Sequence, residues 1–304
     1  MKEFLKKHCF NIIMMIIFLI GIAIVTYPTV SDYWNSRVQS KAINDYKSTV
    51  SKTANSELAR IKTAALLYNQ ALYNSQQSGK PVSEGTADYE DVLNINGDGI
   101  MGYLIIPTID VELPVYHGTE DSILRVAAGH SPSSSVPAGG ENTHAVILGH
   151  RGLPSARLFN DLDQLEKGDY FEIHVLNDTL CYEVCDITIV EPKEIADLRI
   201  ISGEDIVTLV TCTPYGINTH RLLVQGKRVE TTESDLLIYS EARRINKAYV
   251  AIAVGIVLWT LSMIVLLYVS SRYKNRRLSR EEYLRRRSIL DKHCLLYTSD
   301  AADE

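Results

Sequence analysis

Three side chains have the types that covalent acyl transfer requires. Cys212 ends the run Ile206-Val207-Thr208-Leu209-Val210-Thr211-Cys212, and the loop-like residues Thr213-Pro214-Tyr215-Gly216 follow. A thiolate nucleophile needs a proton carrier and a group that holds developing negative charge. His150 ends a second apolar run, Ala145-Val146-Ile147-Leu148-Gly149-His150, just before Arg151-Gly152-Leu153-Pro154. Arg221 opens a third run nine residues after Cys212, in His220-Arg221-Leu222-Leu223-Val224. Its guanidinium offers fixed donors to an oxyanion or a peptide carbonyl. Each residue also has a plainer reading by itself: a buried cysteine acting as a small apolar side chain, a surface histidine, an exposed strand arginine. Jointly they supply nucleophile, general acid–base and oxyanion donor, but chain order does not show that they converge.

The elements that must position them are short β-type runs. These cover residues 101–106, 111–116, 144–149, 170–175, 180–190, 206–211 and 220–228, separated by turn residues such as Pro107, Gly118, Gly139-Gly140, Gly168 and Asn177-Asp178. Strands at this spacing with little helix predict a closed or partly closed β-barrel. If 206–212 and 220–228 are antiparallel neighbours, Arg221 returns beside Cys212. His220 then points to the other face of its strand. His144, a rival for the histidine role, lies at the opposite end of its strand from His150. Upstream, residues 31–78 carry apolar side chains at spacings of three and four (Ile43, Tyr46, Val50, Ala54, Leu58, Ile61, Ala65) and read as helical. Residues 78–85 read as a loop.

The apolar residues of the 304-residue chain cluster at both ends. Residues 10–25 hold one polar side chain, Asn11, and follow Lys2, Lys6 and Lys7. The run is just long enough to span a bilayer. It reads as an uncleaved signal anchor; a cleaved signal peptide is the alternative, although Tyr27-Pro28-Thr29-Val30 fits a small-residue cleavage site poorly. Residues 248–269 form a 22-residue run followed by eight basic residues from Arg272 to Arg287. Positive-inside bias then puts both chain ends in the cytoplasm and residues 29–247 outside. That segment holds 19 Lys+Arg against 30 Asp+Glu, a net charge of −11, and the whole chain stands at −6. Such a balance argues against a nucleic-acid binder. Five cysteines exclude a disulfide-dense scaffold. Cys181 and Cys185, four apart on an extended run, have Cα atoms roughly 13 Å apart and do not pair, since a disulfide needs less than about 7 Å.

The stretch Thr208-Leu209-Val210-Thr211-Cys212 matches the T-L-x-T-C signature of sortases, His150 in Gly149-His150-Arg151-Gly152 matches the family histidine, and Arg221 falls at the family interval. Leu113-Pro114-Val115-Tyr116-His117-Gly118-Thr119 and Thr211-Cys212-Thr213-Pro214-Tyr215-Gly216-Ile217-Asn218-Thr219-His220-Arg221 resemble class C, the pilin-polymerising sortases. The resemblance covers about residues 90–232. It implies a mainly β fold: a sortase barrel of about eight strands with an N-terminal helical region and two flanking transmembrane helices. The divisions expected are an anchor over 1–28, a helical region with a possible lid over 29–97, the barrel over 98–232, a linker over 233–247, a second span over 248–270 and a basic tail over 271–304. The resemblance further implies a transpeptidase. Cys212 attacks the Thr–Gly bond of an L-P-x-T-G-like sorting signal, His150 is general acid and then base, Arg221 orients substrate and stabilises the oxyanion, and Thr211 helps hold substrate. A pilin lysine resolves the thioester, so the partners are surface proteins or pilins. A cell-wall amine as nucleophile, or a non-catalytic module that only binds sorting signals, are the alternatives.

Class C sortases carry a lid anchored by Asp-Pro-aromatic. No such triplet occurs between Tyr46 and Gly102; Thr86-Ala87-Asp88-Tyr89-Glu90 stands near that place without the proline. A lid is thus absent, altered or weakly held. No cofactor or metal is expected: no His/Cys pair has zinc spacing, and Asn94-Ile95-Asn96-Gly97-Asp98-Gly99 begins like a calcium loop but puts Ile105 where a bidentate Glu is needed, so it reads as a turn. From about Cys294 the chain resembles translated sequencing-adapter text, and no function is assigned there.

Overall fold

The computed structural model describes residues 2–82, 85–230, 255–263, 281–285 and 287. The chain divides into two compact units, Met1–Ala242 and Arg243–Glu304. The first unit opens with helix α1 (Lys2–Lys52), which carries Pro28 inside it, and helix α2 (Asn55–Ser78), which ends on Gly79 in the left-handed conformation. The helical reading of 31–78 therefore holds, with a break at Thr53-Ala54.

Eight strands follow: β1 (Ile100–Ile106), β2 (Val111–His117), β3 (Ala128–His130), β4 (Thr143–Leu148), β5 (Tyr170–Val175), β6 (Asp178–Val190), β7 (Asp205–Thr213) and β8 (His220–Val229). They close into a barrel in the order β1-β2-β3-β4-β7-β8-β6-β5. The pairs β2–β3 and β4–β7 are parallel and the others antiparallel. Seven strands match the runs expected from sequence. The eighth, β3, has three residues, Ala-Gly-His, too short for any alternation to show. One helical turn, α3 (Asp121–Leu124), precedes it.

Alternation decides what each strand buries. Along β5, Phe171, Ile173 and Val175 point into the barrel and Tyr170, Glu172 and His174 outward. The lumen core joins Leu104, Ile106, Val115, Ile147, Phe171, Tyr182, Val207, Leu209, Leu222 and Val224. A smaller cluster of Ile43, Tyr46, Ile100 and Tyr103 joins α1 to β1. The Tyr46 hydroxyl donates to Met101 O (3.2 Å) and accepts from Leu176 N (2.8 Å). Burial pushes its pKa up to about 12.

Among the described residues one helix, α1, is long and apolar enough to cross a membrane. Its residues Met14–Val25 expose large apolar side chains that no described residue covers, and by length and composition the helix fits a membrane anchor or a signal sequence. The expected second span, 248–270, lies mostly outside the described residues; its part 255–263 is helical. The linker and most of the basic tail also lie outside them.

Candidate active site

Strand β7 is the middle of the three strands that carry the site. On one side β4 runs parallel to it, with Leu148 opposite Val210, and the Gly149 N–H continues that ladder to Val210 O at 3.0 Å. His150 comes two residues after Leu148, past the end of β4, and Cys212 two residues after Val210, still on β7. On the other side β8 runs antiparallel, and Cys212 is directly opposite Arg221. Adjacent strands are about 4.8 Å apart, so Cys212 and Arg221 are neighbours, and the loop that carries His150 leaves β4 at this same end of the barrel. His144 pairs with Ile206 at the other end of β4. It is spent there on Arg199 O (2.8 Å) and the Thr208 hydroxyl (2.8 Å), and burial lowers its pKa.

Side-chain parity puts Cys212 and Arg221 on the outside of the barrel. Val207 and Leu209 of β7 and Leu222 and Val224 of β8 belong to the lumen core. Val146, Val210 and Leu223 form a separate outer cluster with Leu148, Val190, Ile195 and Leu198. Cys212 and Arg221 share the parity of that outer set, and His150 stands in the loop just past the end of β4. All three are half-buried: reachable by substrate, yet held on or next to rigid strands.

Thr211, expected to help hold substrate, is engaged with the backbone of the neighbouring strand end. Its side chain has the opposite parity, is 2% exposed, and donates its hydroxyl to Gly149 O at 2.8 Å. It therefore fastens β7 to the residue before His150 and acts as a positioning residue. Gly149 is required at that point, because a Cβ there would lie 2.6 Å from the Phe159 ring.

Residues not singled out from sequence as site residues surround His150 and the loop that follows it. The His150 Nε2 lies 3.3 Å from Asp121 Oδ1 at the start of α3. Asp121 is also bonded by Arg125 Nε at 2.6 Å. Arg125 first, and His150 second, hold its carboxyl below the usual range. Arg151 donates from Nε to Asn160 O (3.0 Å) and from Nη1 to the Thr213 hydroxyl (3.4 Å), pairs with Asp163, and lies over the Tyr215 ring at 5.7 Å. The Gly152 N–H donates to Asn160 Oδ1 at 2.6 Å. Arg151 thus ties the loop after His150 to the loop after Cys212. The Gly-His-Arg-Gly stretch signals a functional turn, but the partners come from other loops and leave no local mark.

The Arg221 Nη1 donates to Asn218 O (3.1 Å) and His220 O (3.0 Å). A guanidinium has five donors, so this anchoring braces the β7–β8 loop and leaves others to face an oxyanion. Tyr89 is engaged at β3 and the end of β2. Its hydroxyl meets His130 Nδ1 (3.0 Å) and His130 O (3.1 Å) and accepts from Gly118 N (3.0 Å), while His130 pairs with Ile147, three residues before His150. Among the described residues Cys181, buried, and Cys185, exposed, are in no disulfide. Residues 94–99 form a turn in which Gly99 N donates to Asn94 Oδ1 at 2.9 Å.

The sortase domain family matches residues 104–229, from within β1 to the end of β8. Sortase C of Streptococcus pneumoniae, whose structure is reported to give insight into catalysis and pilin substrate specificity, is 44% identical, with a TM-score of 0.56 over 63% of this chain and 98% of that one. The chain belongs to the sortase family, and within it to class C. Sortase C of Clostridium perfringens, solved with the C-terminal cell wall sorting motif, is 39% identical, with a TM-score of 0.56 over 63% of this chain and 100% of that one. Sortase D of Bacillus subtilis is 31% identical over 131 residues; the match spans 42% of this chain and 63% of that protein. Sortases are cysteine transpeptidases, and the cysteine, histidine and arginine of this class C member are the groups that chemistry needs.

Proposed function

We propose that this chain is a membrane-anchored cysteine transpeptidase that cleaves an L-P-x-T-G-like sorting signal between Thr and Gly and passes the acyl group to a pilin lysine. The observation that carries the reading is the Cys212–Arg221 pair on β7 and β8, with His150 in the loop that leaves the neighbouring strand β4 at the same end of the barrel. The Cys212 thiolate attacks the Thr carbonyl carbon, and Arg221 holds the oxyanion so formed. Collapse breaks the Thr–Gly C–N bond, and His150 gives its proton to the departing amine. The thioester then meets a lysine ε-amine, His150 takes that proton, an isopeptide bond forms and the thiolate returns. Support for the acceptor and the signal comes from the class C relatives, one described through pilin specificity and another solved with a sorting motif. The exposed apolar stretch of α1 supports anchoring from the N-terminal end, with the barrel outside the cell.

The test is intact-mass spectrometry of the full chain in detergent, incubated with sorting-signal peptides. A mass gain equal to the acyl fragment, absent in Cys212→Ala, is expected. No adduct with any peptide, while Cys212→Ala binds peptide as the parent does, would make the chain a binding module instead. The missing Asp-Pro-aromatic triplet and the engagement of Tyr89 at His130 favour one second reading, transfer to a cell-wall peptide amine. Competition between a pilin lysine peptide and a cross-bridge peptide for the preformed thioester decides between them.

A further inference from the structure

Helix α1 does more than lead the chain out of its apolar stretch: it runs along the barrel and sets which end comes first. Near its start outside that stretch, Asp32 Oδ1 accepts from Arg157 N (2.8 Å), Asn35 Nδ2 donates to Ser155 O (2.6 Å), and Gln39 Nε2 donates to Val126 O (2.7 Å). Ser155 and Arg157 belong to the loop that begins at His150 and returns to it through Phe159 N–His150 O (3.2 Å). Eleven residues beyond Asn35, the Tyr46 hydroxyl meets Leu176 N. Leu176 lies in the turn before β6, and β6 reaches the Cys212–Arg221 pair only at its other end, where Val190 faces Arg221. So α1 touches the catalytic end first and the remote end last.

Asp32, Asn35, Gln39, Ile43 and Tyr46 recur at spacings of three and four and form the barrel-docked face. The opposite face carries Tyr27, Val30, Trp34 and Val38, again at three and four, and all are exposed, Trp34 by 71%. Arg37 and Lys41 flank this second stripe higher up. The stripe continues the exposed apolar run that ends at Val25. A hydrocarbon core takes about 20 helical residues, and the headgroup layer adds about 5–8 Å on each side. Counted from Phe10, the core ends near Val30; Asp32 and Asn35 then stand roughly 3 and 8 Å above it at 1.5 Å per residue. Tyr and Trp at that depth, with Arg and Lys above, are the side chains suited to the interface.

We propose that the outer stripe of α1 lies in the headgroup layer and that the barrel faces the bilayer with its catalytic end, so that the site takes acyl donors presented at the membrane surface. This rests on the reading of α1 as a membrane anchor and deepens the proposed function. The test uses single-tryptophan forms of the full chain in vesicles whose lipids carry a quencher close to the headgroup. The chain has two tryptophans, so Trp259→Phe isolates Trp34; Pro154→Trp and Asn177→Trp in a Trp34→Phe/Trp259→Phe background report the two ends of the barrel. Strong quenching of Trp34 and of P154W, with N177W quenched about fivefold less, is expected. Equal quenching at the two barrel ends, or none at Trp34 and P154W, would overturn the proposal. So would a Trp34 that is silent to lipid quencher in a chain of dimeric mass, which would give the stripe to a second copy.

An activity arm separates this orientation from the chemistry. Seven helix-forming residues inserted between Val30 and Ser31 lift the barrel by about 10 Å and keep nearly the same helical face. Turnover of a sorting-signal peptide tethered to the vesicle should fall about tenfold, with the free peptide cleaved as before. An unchanged ratio of tethered to free turnover counts against the orientation. Failure of the parent chain on both peptides counts against the transpeptidase reading and leaves the quenching result to decide the orientation by itself.

Discussion

At the scale of residues, the proposed mechanism divides the work between His150, Cys212 and Arg221, which meet substrate, and side chains that hold them in place. Arg221 contributes a planar fork, part of which braces Asn218 and His220. Lysine keeps the charge and loses the fork. Arg221→Lys is expected to lower kcat by roughly a hundredfold, the order seen on removing one oxyanion donor, with peptide binding little changed; rapid-quench measurement of thioester formation checks this. Thr211 holds the Gly149 carbonyl. Thr211→Val leaves the buried Gly149 carbonyl without its donor and should cost about 1–3 kcal/mol in denaturant unfolding. Its kcat should fall while KM stays constant. A KM effect alone would return Thr211 to the substrate-holding role.

Elements matter because β7 and β8 carry Cys212 and Arg221 in register and β4 leads into the loop that carries His150. The parallel β4–β7 pairing and the antiparallel β7–β8 pairing fix that arrangement, and a one-residue slip in either would turn a catalytic side chain into the lumen. The close approach of Phe159 under Gly149 locks the end of β4. Gly149→Ala forces the ring away from a Cβ at 2.6 Å. It should cost about 1–3 kcal/mol, as overpacking does, and cut turnover further than the stability loss explains; thermal unfolding and kcat measured together check it. At the remote end, Tyr46→Phe removes the hydroxyl that joins α1 to Met101 O and Leu176 N. The loss should be about 1–3 kcal/mol, read in denaturant unfolding, with the chemistry at Cys212 intact.

For the whole molecule, buried histidines tie stability to pH. His130 is fully buried between Tyr89 and the Ser135 carbonyl, and burial pushes its pKa down to about 4 from 6.5. Between those pH values the unfolded chain binds the proton and the folded chain does not, so stability rises with pH through this window. The contribution is complete above about pH 6.5 and is lost as pH falls toward 4; every tenfold difference in proton affinity between the two states is worth about 1.4 kcal/mol. Burial lowers His144 in the same direction. Melting temperature should therefore drop between pH 7 and 4.5, with a shallower slope in His130→Gln. An equal slope in both would remove His130 from the account.

Local chemistry was enough to propose Cys212, His150 and Arg221, because strand ends next to Gly- and Pro-containing loops are visible as runs of apolar residues that stop. Alternation likewise showed seven strands, and an apolar run showed that α1 is long and apolar enough to cross a membrane. Those signals are written in neighbouring residues. The three-residue strand β3, the closing order of the barrel and the pairing of parallel β4 with β7 depend on contacts between residues far apart in the chain, which no local pattern records. The same holds for Thr211, whose parity sends it to the lumen, and for Asp121 and Arg151, whose partners arrive on other loops. The two opposed stripes of α1 were present in its spacing, but only packing against the barrel showed which of them is covered and which end of the barrel the helix meets first.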